Sequence, residues 1–264
     1  MRGRVLSVAG SDSGGGAGIQ ADIKTVTALG AYAATAVTAL TVQDTHGVHA
    51  IHPVPPAFVQ AQMRAVLEDI GADAIKTGML GDAATIEAVC AVLASYRSIP
   101  LVIDPVMVAK GGASLLATQA LAALRHSLIP LGCVLTPNLP EAETLLGRSI
   151  ADAAALCEAA VALRALGPRA VLVKGGHLPG AEVIDVLATE DGVRVFRAPR
   201  IDSRHTHGTG CTLASAVAAG LAQGMALPEA VARARAYVRA AIAAAPGFGG
   251  GHGPLNHAVK LDSD

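Results

Sequence analysis

The chain of 264 residues has no tryptophan, three tyrosines and three phenylalanines. A surface that stacks nucleic-acid bases needs aromatic platforms among basic residues, and neither is gathered here. An excess of one charge is missing too, since 20 Lys and Arg face 21 Asp and Glu for a net charge of −1. That balance gives no field for nucleic acid or an anionic membrane, so neither is expected as a partner. No apolar run reaches the roughly 18–20 residues of a membrane span. The four cysteines, Cys90, Cys133, Cys157 and Cys211, are scattered without a CxxC pair. They point to a reduced cytoplasm and to no zinc site or disulfide. The chain enters a strand pattern at Arg4-Val5-Leu6-Ser7-Val8-Ala9, so no secretory signal is expected. The phosphate loop GxxxxGK[ST] is absent, which excludes P-loop kinases as a class.

What remains is an apolar, regularly alternating chain. Apolar residues make up 52 %, enough for a substantial core. Strand-like runs are expected at Val5–Ala9, Ala33–Leu40, Ala74–Thr77, Leu101–Asp104, Cys133–Thr136 and Ala170–Lys174. Helical runs fall between them, at Gly18–Leu29, Pro56–Ile70, Ala83–Ser95, within Ser114–Leu128, and at Pro140–Leu146 and Asp152–Leu166. A hairpin is expected around Glu190-Asp191-Gly192, and helices over Gly208–Gln223 and Pro228–Ala244 close the chain. With no low-complexity linker and no repeat, residues 1–264 read as one α/β domain, a three-layer α/β/α sandwich on a mostly parallel sheet. Ligands in such sheets bind beyond the carboxyl ends of the strands.

One late stretch carries the strongest local signal, His205-Thr206-His207-Gly208-Thr209-Gly210-Cys211-Thr212 running into an alanine-rich helix. Glycines there let the backbone approach a ligand. The helix N-terminus then aims N–H groups and a positive dipole end at one point, which favours phosphate. Cys211 falls in the first turn, where a thiol is acidified. An inert core cysteine behind a glycine-rich turn is the plainer alternative.

Other candidates follow strands. Gly10-Ser11-Asp12-Ser13-Gly14-Gly15-Gly16-Ala17-Gly18 allows tight turns, and Gly16–Ala21 also fits the dinucleotide pattern GxGxxG/A, though late after its strand and with Asp44 as the acidic partner. Asp104 ends a buried strand. Asn138 and Glu141 are three apart at a helix start, where an amide and a carboxylate suit Mg²⁺ held largely through waters. A helix cap and a first-turn acid explain the same pair. Lys174 ends another buried strand, and a charge there needs an anion, such as nucleotide phosphate. This inventory suits phosphoryl transfer, which is mostly positioning and charge neutralisation.

These motifs, in order, resemble the hydroxymethylpyrimidine/phosphomethylpyrimidine kinases, a branch of the ribokinase-like superfamily. The residues that carry the resemblance are Ala9–Asp22, Lys76-Thr77-Gly78-Met79-Leu80, Asp104-Pro105-Val106-Met107, Thr136–Glu143, Val173–His177 and His207–Thr212. The resemblance implies a ribokinase-like fold and transfer of the ATP γ-phosphate, first to the hydroxymethyl group of 4-amino-5-hydroxymethyl-2-methylpyrimidine and then to the resulting monophosphate. It implies Cys211 as the catalytic group with Gly208, Thr209 and Gly210. Gly10, Asp22, Gln43, Met79 and Val106 are implied to bind the pyrimidine. Lys174, Asn138 and Thr209 are implied to bind ATP, and Asp104 and Glu141 to hold Mg²⁺. A homodimer is implied as well. Gln43 has an amide that can read an amino-pyrimidine edge, while Met79 and Val106 also fit plain core positions.

His46, His49 and His52 read as solvated loop residues, and His205 and His207 as possible phosphate contacts. The glycine-rich segment from about 246 to 264 is open between a tail and a flap beside the site. Pyridoxal kinase is the alternative within the same superfamily. A nicotinamide-dependent oxidoreductase and a non-catalytic ligand-binding protein stand further off.

Overall fold

The computed structural model describes residues 1–260 apart from 109–111, 113–114 and 118. In chain order the elements are β1 (Arg4–Ala9), α1 (Gly18–Ala28), β2 (Tyr32–Val37), β3 (Ala39–Gln43), β4 (Val48–Pro53), α2 (Pro56–Ala65), β5 (Ala74–Thr77), α3 (Ala83–Leu93), β6 (Leu101–Ile103), α4 (Ala120–Ala123), β7 (Val134–Leu135), α5 (Leu139–Leu146), α6 (Ala153–Arg164), β8 (Ala170–Lys174), β9 (Glu182–Thr189), β10 (Gly192–Pro199), α7 (Thr209–Ala222) and α8 (Leu227–Ala243). Wider π-type turns prolong α2 over Val66–Ile70 and α4 over Leu124–Leu128. The helix expected within Ser114–Leu128 begins, among the described residues, at Ala120; Ser114 itself lies outside them, as do residues 261–264 of the glycine-rich segment.

Local chemistry sets the helix starts. Asp82 and Asp152 cap α3 and α6 by accepting the N–H groups of Thr85 and Ala155 at 2.8 Å. Proline in the first turn opens α2 and α8. The strands are β-branched or leucine-rich, and successive residues point to opposite faces. On β6, Leu101 and Ile103 join one core and Val102 the other; on β8, Val171 and Val173 part from Ala170 and Leu172 in the same way. Helices α2 to α6 cover the first face, and α1, α7 and α8 the second. The result is three layers.

The main sheet has the order β10-β9-β8-β7-β6-β5-β1-β2. Strands β2, β1, β5, β6, β7 and β8 run parallel, and the β9–β10 hairpin adds an antiparallel edge. Strand order reverses at β1, so β2 lies on one side and β5 on the other. The carboxyl ends of β1 and β5 therefore open the crevice in which a ligand sits in a doubly wound sheet.

The expected strand Ala33–Leu40 is two strands in two sheets. Thr38 breaks it: its N–H binds the carbonyl of Ala9 at 3.0 Å and its hydroxyl the carbonyl of Met79 at 2.6 Å. The chain then turns out of the main sheet, and β3 pairs antiparallel with β4. His49 and His52 lie on β4 and His46 in the turn before it, all exposed, so the expected loop is half strand. No described helix is long and apolar enough to cross a membrane.

Candidate active site

The stretch before α7 forms a tight corner. Gly208 is the N-cap with φ of +83°, and a Cβ there would meet the carbonyl oxygen of Gly16 at 1.8 Å. Only glycine fits. Thr209 hydroxyl donates to the carbonyl of Thr206 at 2.7 Å. The first N–H groups of a helix have no partner within it, so the turn from Gly208 to Cys211 presents donors. Gly210 adds a close approach: its missing Cβ would lie 3.1 Å from Lys174 Nζ and 3.8 Å from both carboxylate oxygens of Asp104.

That lysine ends β8, and its Nζ is 2.9 Å from Asp104 Oδ1, just past β6. The anion that a buried Lys174 requires is thus supplied first by the protein. Burial works to discharge the ammonium, and Asp104 and Glu141 more than offset it, leaving the lysine more basic than usual. Asn138 and Glu141 form a complete capping box on α5, with Glu141 N–H to Asn138 Oδ1 at 2.9 Å and Asn138 N–H to Glu141 Oε2 at 2.8 Å. Burial pushes the Glu141 carboxyl up to about 7 against the pull of Lys174, and the nearby Asp104 adds to the rise. Glu141 and the neighbouring Asp104 carboxylate fit a Mg²⁺ that takes its remaining ligands from phosphate and water. No group of three His, Cys, Asp or Glu that could hold a metal exists among the described residues.

The first glycine loop is organised by a residue that the motif reading left as a turn residue, Asp12. Its carboxylate accepts the N–H groups of Gly14 at 2.8 Å, Gly16 at 3.0 Å and Ala17 at 2.8 Å. It also meets His207 Nε2 at 2.9 Å. Burial works against its ionisation, but the bond with His207 and the loop amides hold its carboxyl below the ordinary range. The His207 ring takes the space beside Gly16, where a Cβ would be 2.6 Å from its Cδ2. The first loop and the stretch before α7 are thereby locked together.

A single cavity of about 570 Å³ joins these parts at the sheet's carboxyl edge. Its lining includes Gly10, Gln43, Met79 and Val106, with Gly10 against Met79, and Asp104, Asn138, Glu141 and Lys174, with Gly210 of the Gly208–Cys211 turn against Lys174 and Asp104. One expected residue is not there. Asp22 does not line the cavity; it is buried beneath it, bonded to Lys76 Nζ at 2.9 Å and to the hydroxyls of Ser7 at 2.5 Å and Ser215 at 2.6 Å. The expectation that the helix start acidifies Cys211 is also corrected. Burial pushes the thiol up to about 12, aided by Asp104 and Asp22, and Lys76 and the Gly18 amide do not compensate. Asp44, the acidic partner of the dinucleotide pattern, is instead half-exposed in the β3–β4 turn beside His49 at 3.0 Å.

The glycine-rich segment after α8 is neither loose nor distant, as far as it is described. The carbonyl of Gly253 accepts the N–H of His207 at 3.2 Å, and His252 N–H reaches the carbonyl of Thr45 at 2.8 Å. His257 is buried against α7, 2.9 Å from Thr212 Oγ1, and burial pushes it down to about 4, so it is neutral. The segment braces the outer side of the corner before α7. Its only sequence signal was glycine content, which marks turns and says nothing of what they touch.

Comparison with known proteins agrees with this geometry. The phosphomethylpyrimidine kinase family matches residues 12–256. A thiamine biosynthesis bifunctional protein of Geobacter sulfurreducens is 56 % identical over 99 % of this chain, which spans about half of it, 53 %. A hydroxymethylpyrimidine/phosphomethylpyrimidine kinase of Streptomyces coelicolor is 51 % identical over 97 % of this chain and 95 % of its own length. Among solved structures, an ADP complex of Bacillus subtilis pyridoxal kinase superposes with a TM-score of 0.90 at 36 % identity, covering 97 % of this chain and 98 % of that one. The chain belongs to the phosphomethylpyrimidine kinase family.

Proposed function

From that membership we propose that the protein transfers the γ-phosphate of ATP to hydroxymethylpyrimidine and then phosphorylates the monophosphate, as a step of thiamine biosynthesis. The observation that carries this reading is that one cavity is lined by two chemically different sets of side chains and by the N-terminus of α7. The amide-bearing, apolar set of Gln43, Met79 and Val106 suits a flat polar ring. The charged set of Lys174, Asn138, Asp104 and Glu141 suits a nucleotide triphosphate. Mg²⁺, held by Asp104 and Glu141, would neutralise phosphate charge there.

In the first transfer the alcohol oxygen bonds to the γ-phosphorus while the bond to the β-bridging oxygen breaks, and ADP leaves. Donors from Gly208 to Cys211 meet the three equatorial oxygens of the travelling group, and Thr209 stands beside them. The loose transition state of phosphoryl transfer keeps the alcohol proton until late, so a strong base is not required. Cys211, with its thiol held at about 12, is protonated in the free protein, so it acts as base only after its own proton has left to solvent, and the thiolate then takes the alcohol proton as the phosphorus–oxygen bond forms. The same neutrality suits the second transfer. Its acceptor is an ionised phosphate that needs no base and would be repelled by a fixed carboxylate in place of Cys211.

Product masses after incubation with 4-amino-5-hydroxymethyl-2-methylpyrimidine, ATP and Mg²⁺ test the reading: both the monophosphate and the diphosphate are expected. Pyridoxal phosphorylation is the second reading, favoured by the superposition on a pyridoxal kinase. It predicts one transfer to pyridoxal and none to a phosphate. A homodimer belongs to the same proposal, with Leu40 and Val42 of β3, 52 % and 59 % exposed, as an apolar face for it.

A further inference from the structure

Three groups meet at the ring-binding end of the cavity with one acceptor too few. The Gln43 amide, placed with its nitrogen toward His207, puts Nε2 at 3.2 Å from His207 Nε2. That same ring nitrogen lies 2.9 Å from Asp12 Oδ2. An ionised Asp12 only accepts, so His207 Nε2 must carry a proton to bond it. With that proton in place, the ring nitrogen has no lone pair for an amide N–H. The other end of Gln43 has the mirror problem. Thr41 hydroxyl has one proton but faces two acceptors, the carbonyl of Ser11 at 2.8 Å and Gln43 Oε1 at 3.3 Å.

Turning the Gln43 amide over resolves both conflicts. Its oxygen then accepts from His207 Nε2–H, which is shared with Asp12, and its nitrogen donates to Thr41, whose own proton goes to Ser11. The ends of an amide are assigned from such networks. The backbone of Gln43 is already fixed, because its N–H meets Ser13 Oγ at 2.8 Å and its carbonyl accepts the Ser13 hydroxyl at 2.8 Å. One amide proton goes to Thr41, and the second belongs to a side chain that lines the cavity.

We infer that His207, held by Asp12, is a positioning residue that fixes the Gln43 amide with its N–H toward the ligand, so that the site selects rings with a hydrogen-bond acceptor there. The inference rests on the pyrimidine reading and sharpens it. A 4-amino-pyrimidine offers a bare ring nitrogen beside its amino group. Its 4-oxo counterpart carries a proton on that nitrogen and would set donor against donor. Asp12 and His207 are 195 residues apart, so this selectivity is built by the fold, from a loop after β1 and the turn before α7.

The test is the ratio of kcat/KM for 4-amino-5-hydroxymethyl-2-methylpyrimidine to that for its 4-oxo analogue. The unaltered protein should favour the amino ring by at least about 100-fold, because a buried donor facing a donor is left unpaired. His207→Phe frees the amide to turn and should lower the ratio by about tenfold or more, while His207→Gln, which can still donate to Asp12 and Gln43, should keep it within about threefold. A general loss of packing would slow both substrates and leave the ratio as it was. If His207→Phe does not fold, Thr41→Val releases the opposite end of the amide and should lower the ratio by at least about threefold. A ratio near one in the unaltered protein, or a ratio that the variant able to fold leaves unchanged, overturns the inference while the kinase reading stands. Turnover of neither pyrimidine overturns the kinase reading and this inference with it.

Discussion

Two buried lysine–carboxylate pairs flank Cys211, and they teach different things. Lys76 is the last residue but one of β5 and Lys174 the last of β8; each Nζ lies 2.9 Å from a carboxylate oxygen, of Asp22 and Asp104 respectively. The side chains of Lys76 and Asp22 are 0 % and 1 % exposed, and Asp22 has hydroxyl donors from Ser7 and Ser215 besides the ammonium. Lys174 is 11 % exposed and lines the cavity together with Asp104. The first pair is closed on itself. The second has spare hydrogen-bonding capacity, and that capacity faces the place where a nucleotide's phosphates would lie. Position at a strand end does not separate the two; what closes over each pair does.

The largest effect should come from breaking the closed pair. Asp22→Ala leaves a buried ammonium without its counter-ion, which costs about 3–5 kcal/mol. Thermal unfolding should show the midpoint falling by roughly 10 °C. Replacing both partners, as Asp22→Leu with Lys76→Met, should recover most of that loss, since two apolar groups need no pairing. A midpoint unchanged in Asp22→Ala would mean that the pair is not sealed. Lys174→Met should behave the other way round. It should lower kcat/KM by about 10²–10³, the range for losing one transition-state charge contact. Its unfolding midpoint should move less than that of Asp22→Ala, because Asp104, though only 2 % exposed, lines the cavity and Asp22 does not. Steady-state kinetics and melting of the two variants side by side decide the matter.

Cys211 sits between the pairs and gives the next effect. Cys211→Ala should slow transfer to the alcohol at least about tenfold more than transfer to the monophosphate, because only the alcohol has a proton to lose. Single-turnover rates for the two acceptors measure this directly. Equal slowing of both would show that the thiol acts on the travelling phosphoryl group and not on the acceptor.

The same contrast explains what could be read from the sequence. Asp104, Asn138, Glu141 and Lys174 stand at or just past strand ends, where an open parallel sheet places its ligands, the turn from Gly208 to Cys211 stands at a helix start, and the structure gathers all of them at one cavity. Asp22 was assigned to the ring site through the family pattern, yet it points under the sheet edge to Lys76, and only packing decides which way a helix residue points. Asp12 was visible between glycines, but its partner His207 is 195 residues away. β4 escaped because five of its six residues are exposed, so it has no apolar face to give a period. Thr38 hid the passage from one sheet to the other behind a β-branched side chain that suits a strand equally well. Cys211 shows a rule applied too narrowly: a helix start favours the thiolate, but burial at the same spot outweighs it.

The smallest effect concerns Glu141, the charge that couples the open pair to pH. Its carboxyl is pushed from the ordinary 4.5 up to about 7 in the folded protein. Between those values the folded chain binds more protons than the unfolded one, so stability falls as pH rises through that window. Binding of Mg²⁺ and nucleotide has the opposite sign, because a cation needs the carboxylate. Affinity for Mg·ADP should therefore rise from pH 6 to pH 8, by no more than about tenfold per unit. Glu141→Gln keeps an oxygen to accept the Asn138 N–H and removes the titration, so its affinity should be lower and flat across the same range. Calorimetric titration at three pH values distinguishes the two curves. A variant that kept the slope would move the titrating group elsewhere, to the nucleotide phosphates themselves, and would leave Glu141 as a helix cap alone.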